Sequence, residues 1–488
     1  MNDSVVIMPP AVVESNSRSR MHEAYDRLCD VEERFDLLRH TVNGWSAWPV
    51  LRFEVSLLLA GVSFEQRHLV SRNERIRRAL ADLPALLHVR RARHVVKTHS
   101  SGLIDRSGDR YRDIWFDDVV LAAGSTFKIE MMNNPSFAGR RALVPRDMTS
   151  ALLYLAAGLL RRAQVPTGMA DAAEEFRRVL TGPLGLSNVD ADWVKHRLLR
   201  FCGLKTVYGW LLGRVRPSYV LVADAGDHAL IAAAKEHGAV ALELQHGISD
   251  RSNASYAWPA SARRYRRVMP IPDRLLLFGE HWKHELDQSG FWGDDLRVVG
   301  SSRLDRYRGE ARTRDDSRCQ IVFTTQGLEI SRTTAFFREF LERAAPTVPV
   351  HLTIKLHPVY DAEKKPYLDA CGEYTDRVSV LASDEGPSTF ELLQQAHLHV
   401  SIASASHYDA LGLGVPTVIL PFQTHEIVLP LLHAGHAYLA RTPDELIDVA
   451  RNWRSLSVPA GVSEYYFAPG GRANILRELD LTADGTTR

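Results

Sequence analysis

A chain of 488 residues is too long for one ordinary hydrophobic core and suits two or three domains of roughly 100 to 200 residues each. Its 60 Lys plus Arg against 59 Asp plus Glu leave a formal charge of +1, which excludes a global field that recruits nucleic acid and makes any anion site a local one. Cys29, Cys202, Cys319 and Cys371 lie far apart with no C-x-x-C pairing, the N-terminus lacks a signal-peptide pattern, and the most apolar window, 48–62, is broken by Arg52 and Glu54; a reducing cytoplasm is expected, with membrane contact at most peripheral.

Residues 1–92 read as a helical N-terminal region: a polar start, then amphipathic stretches such as MHEAYDRLCDVEERFDLL and the basic RNERIRRALADLPALLHVRRAR. The ordinary reading of that basic stretch is a solvated helix face, and the other is contact with an anionic lipid head group or acceptor. From His94 the runs HVVKT, FKIEM, YVLVAD and AVALEL read as strands with helical segments between, giving a Rossmann-like domain over 93–272. A second such domain is expected over 273–460, with strands RLLLFG, LRVVG, QIVFTT, HLTIKL, RVSVLA, LHVSIA and PTVILP, followed by a C-terminal helix and tail over 461–488. Within it PSTFELLQQA carries a capping box, Ser388 and Glu391, that marks a helix start. The class is therefore α/β with two Rossmann-like halves facing a cleft, and ligands belong beyond the carboxyl ends of the strands.

The strand ends of the second half are phosphate-friendly in succession. QIVFTT ends in Thr324 and Thr325, then the Gln326-Gly327 turn; HLTIK delivers Lys355, then Leu356-His357-Pro358; LHVSIA runs into Ser404-Ala405-Ser406-His407 at a helix start. Each has a plainer reading as a turn or a serine cap, and the recurrence favours a nucleoside phosphate sugar. Asp409, in the first turn of that helix, is placed to reach a ribose or sugar hydroxyl, whereas Gly412, Gly414 and Pro416 serve the turn into the next strand. In the first half AVALELQHGISD delivers Gln245, His246 and Gly247 to a strand end, and imidazole there suits a general base; a loop-capping histidine is the alternative. Neither a P-loop nor a G-x-G-x-x-G at a first strand is present, and no D-x-D stands in the donor half, so neither metal nor cofactor is expected. Arg263, Arg264, Arg266 and Arg267 form a local basic patch that suits an anionic acceptor or an exposed linker.

LELQHGIS, SYAWP, PDRLLLFGEHWKHEL, RVVGSSRLD, KLHP at 355–358 and SIASASHYDALGLGVPTVILP together resemble bacterial surface-polysaccharide glycosyltransferases of the GT-B type, a group that includes capsule Kdo transferases and teichoic-acid glycerophosphotransferases. The resemblance covers about residues 205–425, with GWSAWPVLR as the main match further upstream. It implies a nucleotide-sugar donor, a glycan or lipid-linked glycan acceptor, and a cytoplasmic enzyme for capsule or O-antigen type polymers. It further implies a base at His246, donor phosphate at His357 with Lys355, and a donor-loop serine pair at Ser404 and Ser406, while Thr325 and Gln326 join the expected phosphate contacts on their strand-end position alone. Asp384-Glu385-Gly386 imitates an acidic sialyltransferase motif but falls in the wrong half, so it is expected to be a loop before a helix. Transfer of polyol phosphate from a CDP-glycerol-type donor, epimerisation of a UDP-sugar, and an inactive scaffold on the same fold are the competing functions.

Overall fold

The computed structural model describes residues 20–61, 71–99, 104–107, 110–131, 141–160, 166–308, 314–344, 347–358, 360–361 and 363–481. The polar start expected before residue 20 and the last part of the expected tail lie outside the described residues. Thirteen strands build two parallel sheets: β1 (His94–His99), β2 (Thr126–Met131), β3 (Met148–Thr149), β4 (Tyr219–Val222), β5 (Val240–Leu244), β6 (Arg274–Leu277) and β7 (Leu296–Val298) in the first; β8 (Cys319–Thr324), β9 (Val350–Lys355), β10 (Val378–Leu381), β11 (Leu398–Ser401), β12 (Thr417–Ile419) and β13 (Tyr438–Leu439) in the second.

The first sheet runs β3-β2-β1-β4-β5-β6-β7 and the second β10-β9-β8-β11-β12-β13, with every pairing parallel. Both are doubly wound, and each reverses direction once, between β1 and β4 and between β8 and β11. At such a reversal neighbouring crossovers depart to opposite faces and open a crevice beyond the strand ends. The strands read as near-continuous apolar runs because helices cover both faces: Tyr219–Val222 and Thr417–Ile419 are buried throughout. The two halves face a shared cleft, which is the GT-B arrangement.

One boundary differs from the sequence reading. RLLLFG and LRVVG, expected to open the second domain at 273, pair as β6 and β7 on β5, so the first sheet extends to Val298 and the second begins at Cys319. Parallel apolar strands look alike in either sheet, and nothing in their local pattern specifies the partner. His246 consequently follows an interior strand of its sheet, not the last one.

The N-terminal helices are part of the first half. Helices Arg20–Phe35 and Pro49–Leu59 share its core, and their buried Arg52 donates to Glu32 (2.5 and 3.0 Å) and to the carbonyls of Ala257 (2.6 Å) and Ala254, with the Trp258 ring 4.0 Å below. A buried guanidinium needs that full set of acceptors. It thereby fixes the SYAWP segment, which follows the His246 loop. The basic run 263–267 is a seam: Arg264 pairs with Asp36 (2.7 Å), and Arg266 with Asp295 (3.1 Å) and the Asp273 carbonyl (3.0 Å).

The C-terminal helices Val462–Tyr466 and Gly471–Glu478 return to the first half, where Ala468 donates its amide to Phe278 (2.7 Å). Glycine is required at this crossing: a Cβ on Gly300 would overlap the Ala468 carbonyl oxygen, and its φ of 90° disfavours a side chain as well. Gly300→Ala is therefore expected to cost roughly 2 to 4 kcal/mol of stability. Chemical denaturation checks the magnitude, and amide exchange should show earlier opening of 462–481 than in the wild type.

Candidate functional site

The cleft is lined from the first half by Ile114, Trp115, His246, Gly247, Ile248, Phe278, Trp282, Ser301 and Arg303, and from the second by the ends of β8, β9 and β11. Gln326, His357, Ser404, Ser406 and Asp409 all face it. The residues singled out at separate strand ends are thus brought to one place.

Each has a defined local job. Buried Gln245 donates Nε2–H to the Gly247 carbonyl (2.8 Å) and accepts from the Phe278 amide (2.8 Å), stapling the β5 end to the β6 end; it is absent from the cleft wall. Gly247 has no left-handed φ, and a Cβ there would meet only open space, so neither the turn nor packing demands glycine. What adjoins it is the cleft. The His246 side chain is 35 % exposed; its Nδ1 lies 3.3 Å from the Tyr256 hydroxyl and 4.0 Å from Glu243, with Trp115 edge-on at 6.4 Å.

On the donor side Thr325 accepts from the His357 amide (3.1 Å), and Gln326 accepts from the Ala403 amide (2.8 Å), bridging β8 and β11 across the reversal. Gly327 turns with φ 69°, and a Cβ would overlap the Tyr360 carbonyl oxygen. His357 Nδ1 accepts from the Tyr360 amide (3.1 Å) and its ring stacks on Tyr360 (4.7 Å), which puts the neutral ring's proton on Nε2. Burial holds its pKa down to about 4, so it stands as a neutral ring donor. Lys355, the cation expected at the phosphate, donates to the carbonyls of Ala382 (2.9 Å) and Glu385 (2.7 Å), because a buried ammonium must be satisfied. At most one of its three donors is left for a ligand. The Asp384-Glu385-Gly386 turn wraps this ammonium and leads into the capped helix Thr389–Gln395, as a loop before a helix.

Ser404 accepts from the Ser406 amide (3.2 Å), the cap-like bond of the plainer reading, and the helix it opens, Ser406–Gly412, has only seven residues. His407 points away from the cleft: it and His399 share the Thr417 hydroxyl (2.6 and 2.8 Å), and burial keeps His407 near pKa 3. Asp409 is half-buried in the cleft wall, pushed up to about 6 by burial and drawn back by Arg303.

Three groups escaped the sequence reading. Arg303 lines the cleft with its guanidinium over the Phe390 ring (3.8 Å), and among the described lining residues it and Lys355 are the Lys or Arg side chains. RVVGSSRLD was visible, but only tertiary structure swings that helix start onto the cleft. Asp113 accepts from the amides of Trp115 (3.1 Å) and Phe116 (2.7 Å) and so shapes the loop beneath His246. Glu243, in the middle of AVALEL, accepts from the Tyr256 hydroxyl; an acid inside an apolar strand was the available signal.

Among the described residues no group of three or more His, Cys, Asp or Glu is arranged to hold a metal ion, and no helix is long and apolar enough to cross a membrane. No protein-family model matches the sequence, and no curated protein matches it. Solved structures with a similar layout include a UDP-GlcNAc 2-epimerase from Methanocaldococcus jannaschii (13 % identity, 79 % of this chain and 99 % of that one, TM-score 0.49), the glycotransferase of kitacinnamycin (16 %, 81 % and 96 %, 0.43) and the wall teichoic acid polymerase TagF (10 %, 84 % and 97 %, 0.43). At these values the likeness assigns no residue a role.

Burial raises Glu243 to about 8 from an ordinary 4.5, so the folded state holds this proton more tightly than the unfolded chain does. Its contribution to stability is full below pH 4.5 and is lost as pH rises through about 8. Relative to Glu243→Gln, wild-type stability should fall across that window and level off above it. Denaturation midpoints of both proteins across the range check the sign.

Proposed function

We propose that the protein is a glycosyltransferase that moves a sugar from a nucleotide-sugar donor to a hydroxyl of a growing cell-surface polysaccharide, on the cytoplasmic side. The observation that carries this reading is the convergence on one cleft of His246 from the first half with Gln326, His357, Ser406 and Asp409 from the second. The donor phosphates take the β8/β11 crevice, where Arg303 supplies charge, and His357 Nε2–H and the Gln326-Gly327 amides supply hydrogen bonds. Asp409 meets a donor hydroxyl.

Tyr256 donates its O–H hydrogen bond to Glu243, and the phenol oxygen can then accept Nδ1–H of His246. That tautomer leaves the Nε2 lone pair as the base. The acceptor hydroxyl loses its proton to Nε2 as its oxygen bonds the anomeric carbon, while the bond from that carbon to the phosphate oxygen breaks and the nucleotide leaves with the electron pair. An acceptor-independent epimerase is the second reading. Against it, Asp409 is the one Asp or Glu among the described lining residues, whereas that chemistry calls for several acid/base carboxylates. A CDP-glycerol-type donor would use the same phosphate contacts.

Donor turnover followed by mass spectrometry with and without a glycan acceptor tests the reading: turnover without acceptor means epimerisation. His246→Ala should leave nucleotide affinity nearly intact and lower turnover by roughly 10²- to 10⁴-fold. His357→Ala should weaken nucleotide binding by roughly 1.5 to 3 kcal/mol. Calorimetry with UDP, CDP, GDP and CMP separates the two variants and selects the base. Near-normal turnover in folded His246→Ala would remove it as the base.

Arg303→Gln should weaken nucleoside diphosphate more than nucleoside, because its contact is to phosphate. Activity should persist in EDTA, since Arg303 and oriented N–H groups meet the leaving charge. Loss restored by Mg²⁺ would transfer that task to a metal.

A further inference from the structure

The apolar spacing in the N-terminal region does not point inward. Ile76, Leu80, Leu83 and Leu87 recur at i, i+4, i+7 and i+11 along Arg72–Ala81 and Leu83–Leu87, and Asp82 between the two keeps right-handed helical backbone. An amphipathic helix ordinarily buries such a stripe. Here all four are exposed, Leu87 at 84 % and Leu80 at 57 %. The segment is anchored by other atoms: Ala79 is buried, and the Asp82 carboxylate accepts from both the amide (2.9 Å) and the hydroxyl of Thr149. The adjacent helix Ser150–Leu160 packs against it and adds exposed Leu155, Leu159 and Leu160.

Charge around this surface is net positive, and two of its arginines are shared with acids, Arg77 with Glu74 and Arg90 with Asp147. Arg75 and Arg77 flank the stripe and are exposed, and Arg90 and Arg91 follow it, also exposed. The nearby acids are engaged: Glu74 with Arg77 and Arg78, Asp147 with Arg90, Asp82 with Thr149. None of these residues lines the cleft.

From this pairing of leucines with an arginine rim, we infer that the face docks on a bilayer surface bearing anionic phospholipid head groups. The leucines enter the acyl boundary while the guanidiniums meet phosphates, so both features are used in one contact. A second copy of the chain would set the same arginines against one another. The inference is independent of the donor chemistry.

The test is co-sedimentation of the full chain with vesicles of phosphatidylcholine alone and of phosphatidylcholine with phosphatidylglycerol. Binding is expected to the mixed vesicles, little to the neutral ones, with release at raised salt. The double substitution Leu83→Glu, Leu87→Glu should lower partitioning by roughly tenfold or more without lowering the melting temperature, since both side chains face outward. Arg75→Glu should weaken binding to mixed vesicles alone. The proposal falls if the wild type ignores mixed vesicles, binds neutral ones equally, or forms a dimer in analytical ultracentrifugation that the double substitution dissolves.

Discussion

The cleft keeps its shape because the last stretch of chain lies against the first sheet at a distance that admits no side chain. Gly279 abuts the backbone of Tyr465 and Tyr466, Gly300 that of Ala468, and Gly471 that of Ser301 and Ser302. Arg308, the last described residue before the second half, fans out to the carbonyls of Gly412 (2.9 Å), Phe467 (2.9 Å) and Ser463 (2.8 Å). One guanidinium thus ties the connecting segment to both the second half and the returning chain. Phe278 and Phe467 stack at 5.2 Å where the two meet, and both form cleft wall. The strap is therefore also the floor on which a ligand rests.

On that floor the electrostatics are built from dipoles more than from charges. His357 is held neutral, Lys355 is largely satisfied by backbone carbonyls, and Asp409 titrates near 6. Beneath them runs a buried neutral relay, Thr324 to His399 (3.0 Å), His399 to Thr417 and Thr417 to His407, that fixes the β8, β11 and β12 ends without net charge. Arg303 and Lys355 are the cations among the described lining residues, and the rest of the polar wall is hydroxyls, amides and neutral rings beside Asp409. Fixed N–H groups need no reorganisation as charge grows on a leaving phosphate, which is where they are worth most.

Much of the architecture was legible in sequence because it depends on local rules. Apolar runs of four to six residues became strands, and Ser388 with Glu391 made the capping box it advertised. The convergence of His246 with the donor loops also followed, since strand ends of parallel sheets point to one side. Illegible were the features set by partners distant in sequence. RLLLFG joined the first sheet because β5 offered it an edge. The ammonium of Lys355 turned to the 382–385 carbonyls, a choice its neighbours in sequence do not encode. Ile76, Leu80, Leu83 and Leu87 carried a helical period that periodicity alone would assign to a core; exposure reversed its meaning.

Glu243 shows how His246 and its support come from one strand and loop of the first half, while the β8, β9 and β11 ends come from the other. Glu243 is buried within β5, where burial favours its proton, and three residues later the chain presents imidazole to the cleft. Tyr256, in the segment held by Arg52, bridges them. Behind the imidazole stand a phenol oxygen and then a carboxyl that burial pushes up to about 8. His357 is backed instead by the Tyr360 ring, and burial lowers its pKa to about 4. The two histidines are therefore unlike in their surroundings: His246 is backed by a phenol and a buried carboxyl, and His357 by the Tyr360 ring and amide.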